Sequence, residues 1–121
     1  MTRQVAFGRQ DGTDVVRLHG EIDFANAAAI GREIVHRTGT SGPVLIDLTG
    51  VAFLDGAGVR LLDALVADVE RQGRRIRLVV GPSGPARMTL MLRAFRDELL
   101  AAELDEAAAE LGRGPAYPGV P

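Results

Sequence analysis

The sequence predicts an α/β fold: a small mixed β-sheet, opening with an antiparallel hairpin and continuing with parallel strands, packed with helices. Three observations carry this. Two short β-type segments near the N-terminus flank a Gly-containing turn. Residues 44–48 and 76–80 are nearly continuous apolar runs, the pattern of strands buried on both faces. Apolar residues at three-to-four spacing fill the stretches between and after them, the pattern of amphipathic helices. Strands joined through crossover helices pair in parallel, with right-handed connections.

Val5, Ala6 and Phe7 open the first strand, and Val15 to His19 form the second, across the turn-like Gln10-Asp11-Gly12-Thr13-Asp14. Gly20-Glu21-Ile22-Asp23 then ends the strand. Residues 24–37 read as a helix, with Ala27, Ile30, Ile34 and Val35 on one face and Arg32, Glu33 and Arg37 on the other. Asp23 stands just before it, where a carboxylate can accept from unpaired N–H groups. Residues 38–43 form a loop, with Gly39 as the helix stop. After the strand at 44–48, Thr49-Gly50 turns the chain and residues 51–54 make a short apolar bridge. Residues 58–72 are the strongest helix, with the stripe Val59, Leu62, Leu65, Val66 and Val69, Asp55 as N-cap and Gly73 as stop. A strand at 76–80, a loop at 81–85 and a helix at 86–95 follow. Arg96-Asp97-Glu98 interrupts or ends that helix, and residues 99–111 close as a last one. The order is β-β-α-β-α-β-α-α. Residues 112–121 hold three Pro and three Gly and read as a disordered tail, leaving 1–111 as one domain.

Composition narrows the function classes. The 121 residues carry no cysteine, which excludes disulfides, thiolate chemistry and cysteine metal sites. His19 and His36 show no ligand spacing, so no metal or other cofactor is expected. Net charge is −2 and there is no Trp and one Tyr, which disfavours nucleic acid as a partner. No apolar run reaches the ~20 residues of a membrane span, and the first residues do not form a secretory leader. The cytoplasm is the expected compartment, without direct membrane insertion. Glu21 and Asp23 lack an accompanying nucleophile or metal set, so catalysis is not expected. Gly81-Pro82-Ser83-Gly84-Pro85 lacks the Lys-Ser/Thr ending of a phosphate loop, and its prolines remove N–H donors. Met88, Met91, Leu92 and Phe95 read as core or rim packing.

The informative stretch is the start of the second helix, Asp55-Gly56-Ala57-Gly58. Asp55 suits the positive helix end. Gly56 and Gly58 permit unusual backbone angles and leave an approaching surface unobstructed. Ala57, Leu61 and Ala64 make a small apolar strip at i, i+4 and i+7, beside the core stripe, fit for a partner helix or loop. Arg60 lies along the same exposed side.

Val16-Arg17-Leu18-His19-Gly20-Glu21-Ile22-Asp23, Leu45-Ile46-Asp47-Leu48-Thr49-Gly50-Val51 and Phe53-Leu54-Asp55-Gly56-Ala57-Gly58-Val59 together resemble the STAS domain, and within it the bacterial anti-sigma factor antagonists. The resemblance runs from about Val5 to Leu111. It implies a STAS-like fold and a partner, an anti-sigma factor with a serine-kinase-type ATPase fold, whose capture frees a sigma factor. It also implies a Ser or Thr at the start of the second helix that the kinase phosphorylates. Here Ala57 occupies that position, beside Gly56, and neither accepts a phosphate; Thr49 is the nearest hydroxyl in sequence. Asp23 becomes a second contact, since its loop lies near that turn in the family. The resemblance leaves two alternatives, a ligand-sensing STAS module and an accessory subunit of a membrane transport assembly. Self-association is left open by the sequence.

Overall fold

The computed structural model describes residues 4–112. The elements are β1 (Val5–Gln10), β2 (Thr13–Ile22), α1 (Ala27–Arg37), β3 (Val44–Leu54), α2 (Gly56–Arg71), β4 (Ile76–Val79), α3 (Pro85–Leu92), a 3-10 turn (Asp97–Leu99), β5 (Leu100–Ala101) and α4 (Leu104–Gly112). The five strands form one sheet in the order β1-β2-β3-β4-β5. β1 and β2 are antiparallel; every other neighbouring pair is parallel. The mixed sheet with an opening hairpin is therefore the expected one. Asp11 and Gly12, both at positive φ, form the two-residue connection, as an Asp-Gly turn between twisted strands requires.

Alternation along the strands builds two apolar layers. Val16, Leu18, Ile46, Leu48 and Leu78 meet Ile30 and Ile34 of α1, Val59 and Leu62 of α2 and Leu90 of α3. Val15, Leu45 and Val79 point the other way, onto Ala107, Ala108 and Leu111 of α4. The sheet thus lies between three helices and one, which is why its central strands are apolar on both faces.

Several boundaries depart from the sequence reading. β2 does not end at Gly20; it continues to Ile22, with register irregularities on either side of His19 and Gly20. Thr49-Gly50 is not a turn but a passage within β3, which runs on to Leu54 and pairs it with Ile22. A Cβ on Gly50 would lie 2.9 Å from the His19 Cβ, so glycine allows the two strands to approach there. α1 ends at Thr38 rather than by a glycine stop: the Thr38 hydroxyl donates to the Ile34 carbonyl at 2.8 Å. α3 is shorter than 86–95, because Ala94 takes φ 54° and turns Phe95 into the core. Met88, Met91 and Leu92 stay exposed.

The segment 99–111 is not one helix. Arg77 donates to the carbonyls of Leu99 and Leu100 at 3.3 and 2.9 Å and pairs with Glu110 of α4. The Val80 N–H donates to the Ala101 carbonyl at 2.8 Å. These bonds hold Leu100 and Ala101 beside β4 as a fifth strand, and α4 begins only at Leu104. Gly112, expected in the tail, closes α4; the rest of the expected tail, 113–121, lies outside the described residues. No helix among the described residues is long and apolar enough to cross a membrane.

At the N-terminal ends of the parallel strands, Arg74 ties two loops together. Its buried guanidinium donates to the carbonyls of Gly39 and Gly42, both at 2.6 Å, and of Ser41 at 3.2 Å, and faces Asp14 at 3.3 Å. Three loop carbonyls thus depend on one side chain. Arg74→Met should cost about 1–3 kcal/mol, from the loss of several hydrogen bonds made by a charged, buried guanidinium, read as a lower urea midpoint at unchanged m-value.

Candidate functional site

The candidate site lies at the opposite edge of the sheet, where the parallel strands end. The Asp55 carboxylate holds it together. Oδ1 accepts from the Gly58 N–H at 3.0 Å, capping α2 as expected. Oδ2 accepts from the Phe24 N–H at 3.1 Å, in the loop between β2 and α1. The Asp55 N–H donates to the Ile22 carbonyl at 3.2 Å. One residue thus joins the β2–α1 loop to the first turn of α2. The Gly58 N–H lowers the Asp55 pKa most, with smaller help from the N–H groups of Phe24 and Ala57 and the charge of Arg60; partial burial opposes them.

Asp23 belongs to the same loop but does another job. Its Oδ1 accepts from the Ala25 N–H at 2.9 Å and its N–H donates to Asn26 Oδ1 at 2.9 Å. Asn26 Nδ2 in turn donates to the Glu21 carbonyl at 2.8 Å. This closed set of bonds holds residues 23–26 as a turn, so α1 starts at Ala27 instead of Phe24. Asp23 accordingly braces the loop next to the α2 turn rather than capping α1 directly.

The two glycines act differently from expectation. Neither takes a positive φ. Gly58 is buried: a Cβ there would collide with the Leu54 side chain and lie 3.1 Å from the Ile22 carbonyl oxygen. Its missing side chain lets α2 sit down on the ends of β2 and β3. Gly56 is half-buried beneath the guanidinium groups of Arg93 and Arg60, 3.2 and 3.4 Å from where its Cβ would be. Ala57 therefore carries the only side chain of the triplet.

Ala57, Arg60, Leu61 and Ala64 line one wall of a groove of about 860 Å³. The second wall is α1, through Ala28, Gly31, Arg32 and Val35, with Phe24 at the mouth. Sequence reasoning missed this wall. It assigned Phe24 to the helix and Val35 to the core stripe, yet Phe24 is 82% exposed and Val35 58%. The signal for Phe24 was Asn26 two residues on, which stands at the N-cap position and whose side chain binds back to Asp23 and Glu21, placing the aromatic before the helix. Gly31 sets the depth: a Cβ there would lie 2.8 Å from Leu61 Cδ1, so glycine lets Leu61 lie against the α1 backbone. No three metal-ligating side chains come together among the described residues.

The family model for the STAS domain matches residues 4–107. The chain belongs to the STAS domain family. A relative from Mycobacterium tuberculosis, osmosensory protein A, is 33% identical over 69 residues, 57% of this chain and 44% of that protein. The chain thus matches less than half the length of that relative. The crystal structure of an anti-sigma factor antagonist from Mycobacterium paratuberculosis superposes with a TM-score of 0.71 at 25% identity, over 88% of this chain and 92% of the other. The murine anion transporter Slc26a9 contains the same fold, with a TM-score of 0.70 at 18% identity, over 86% of this chain and 18% of the transporter. This STAS domain is similar to anti-sigma factor antagonists, and the fold by itself serves other settings.

Two predictions follow from the geometry around Asp55. Because its folded pKa is lowered, the clasp stabilises the fold above the ordinary carboxylate range and loses that contribution as pH falls through the folded pKa. A carbon-detected NMR titration should place the Asp55 midpoint below the ordinary value of about 3.9; a midpoint at or above it contradicts the bonding described. Gly58→Ala gains about 1 kcal/mol of helix propensity, but overpacking against fixed groups costs about 1–3 kcal/mol. With Leu54 buried and the Ile22 carbonyl in the backbone, the net should be a loss, seen as a lower thermal midpoint.

Proposed function

We propose that this STAS domain works as an anti-sigma factor antagonist, docking onto an anti-sigma factor of the serine-kinase ATPase type and so releasing a sigma factor for transcription. The observation that carries the reading is the clasped turn: Asp55 holds the start of α2 against the Phe24 loop, and Ala57 there lines the wall of the open groove. The family match over residues 4–107 and the likeness to a mycobacterial antagonist support it. The docking surface comprises Asp23, Asp55, Gly56, Ala57, Arg60, Leu61 and Ala64, with Gly58 contributing by seating the helix. The protein catalyses nothing itself.

In this reading the usual off-switch is missing. A phosphate at the first turn of α2 would add −1.5 to −2 charges beside the Asp55 carboxylate and undo docking by repulsion and desolvation. Ala57 has no hydroxyl to carry it, and Gly56 and Gly58 have no side chain. Thr49 is no substitute, since its hydroxyl donates to Asp47 Oδ1 at 2.7 Å within β3. The surface therefore stays in its unmodified form, and control of the complex passes to the amount of protein.

Ala57→Asp places a charge where the phosphate would sit. Binding to the purified anti-sigma factor, measured by calorimetry, should weaken at least about tenfold, equivalent to 1.4 kcal/mol. Unchanged affinity would remove Ala57 from the interface. Incubation of the wild-type chain with that kinase and ATP should leave its intact mass unchanged, whereas Ala57→Ser should gain one phosphate; a phosphate gained anywhere on the wild-type chain would contradict the lost switch.

A further inference from the structure

The groove beside the turn has a chemistry of its own, and it deepens the proposed function by naming what the partner inserts; the inference rests on reading this face as a protein-docking surface. Ala28, Gly31, Ala57 and Ala64 floor and wall it with almost no side-chain bulk. That floor offers no side-chain hydrogen-bond donor or acceptor. A loop or strand laid on it would leave backbone N–H and C=O groups unpaired, whereas a helix satisfies its own. The groove follows α2 from Ala57 to Arg71, about 21 Å at helical rise, roughly four turns of an occupant.

Its rim is basic, although the chain as a whole carries a net charge of −2. Arg32 and His36 stand on the α1 side, and Arg60 and Arg71 on the α2 side. Asp68 is the one carboxylate among the lining residues, and it is paired with Arg71. Arg32 and Arg60 form no salt bridge among the described residues. Cations on both sides of an apolar floor complement an apolar stripe flanked on both sides by carboxylates. A fatty acyl chain would fill the floor but bring one carboxylate at one end.

We infer that the groove between α1 and α2 receives an acidic amphipathic helix of the partner protein, its apolar stripe on Ala28, Gly31, Leu61 and Ala64 and its Asp or Glu side chains at Arg32 and Arg60. Phe24 closes over the end of that helix nearest the Asp55 turn. The docking surface therefore extends along the length of α2.

The test uses two synthetic helical peptides of roughly 16 residues, long enough to span the groove, with one shared Leu/Ala stripe and either Glu or Lys on the flanks. They are titrated into the isotope-labelled full chain and followed by amide NMR. The Glu peptide should shift the amides of Ala28, Gly31, Leu61 and Ala64 and bind at least about tenfold tighter than the Lys peptide, a difference of 1.4 kcal/mol. Ala64→Arg, a substitution on an exposed helix face, should abolish binding while leaving the remaining spectrum intact. Arg32→Glu with Arg60→Glu should invert the preference between the peptides.

Equal affinities, shifts confined to α3, or binding indifferent to Ala64→Arg would overturn the inference. So would concentration-dependent shifts of the same amides without peptide, which would assign the groove to a second copy of this chain. Displacement of shifts by free fatty acid alone, with no response to either peptide, would assign it to a lipid. Failure here with a normal Ala57→Asp effect on anti-sigma factor binding leaves the antagonist reading standing; loss of the Ala57→Asp effect with a positive peptide result removes that reading alone.

Discussion

The carboxylate of Asp55 is the interaction on which the functional end of this molecule depends. Its two oxygens reach different elements, Gly58 in α2 and Phe24 before α1. A cap made only within α2 would order the helix start and nothing more. Because the second oxygen crosses to the neighbouring loop, the start of α2 and the aromatic beside it become one rigid unit. The Asp23–Asn26 bonds hold the other end of that loop, so the backbone at Phe24 is bonded on both sides while its side chain stays exposed. The helix dipole and the N–H donors both favour the ionised form, and the clasp is therefore fully formed at neutral pH.

Small residues do the rest. Gly58 lets α2 settle on the ends of β2 and β3, and Gly31 lets Leu61 lie against α1. The two helices cover the sheet together yet leave a furrow between them, because the positions that would fill it are Ala28, Ala57 and Ala64. A larger residue at any of these would turn the furrow into ordinary helix packing. Phe24 and Val35 stand exposed at its edges, where the proposed protein partner would cover them. The sheet and its helices are the frame that this chain shares with a mycobacterial antagonist and with part of an anion transporter.

Much of this was legible in the sequence, and what was missed shares one cause. The opening hairpin, the buried strands, the α2 stripe and the Asp55 cap all rest on local chemistry and appear as read, although the hairpin turn is tighter than the 10–14 segment, with both strands running up to Asp11 and Gly12. The misses rest on contacts distant in sequence. Val35 has helical spacing like Ile34, but spacing cannot tell whether a second helix covers it. β5 is two residues long and exists because Arg77 and β4 hold it, so no periodicity could reveal it. β2 and β3 each run past a glycine because they bulge together, which neither shows alone. At the site, the Gly56-Ala57-Gly58 triplet was visible as a turn, but Gly58 serves internal packing rather than an open surface. The α1 wall of the groove and Phe24 emerge only once two helices are placed side by side.

The proposed function places the protein partner on the face built by Asp55, Phe24 and the α1–α2 groove. Amide hydrogen exchange on the chain in complex with a purified kinase-type anti-sigma factor tests it most directly. Protection should appear at Phe24 to Ala28 and along Gly56 to Ala64, with α3 and α4 exchanging as in the free chain. Protection confined to α3, α4 or the β1 edge would contradict it.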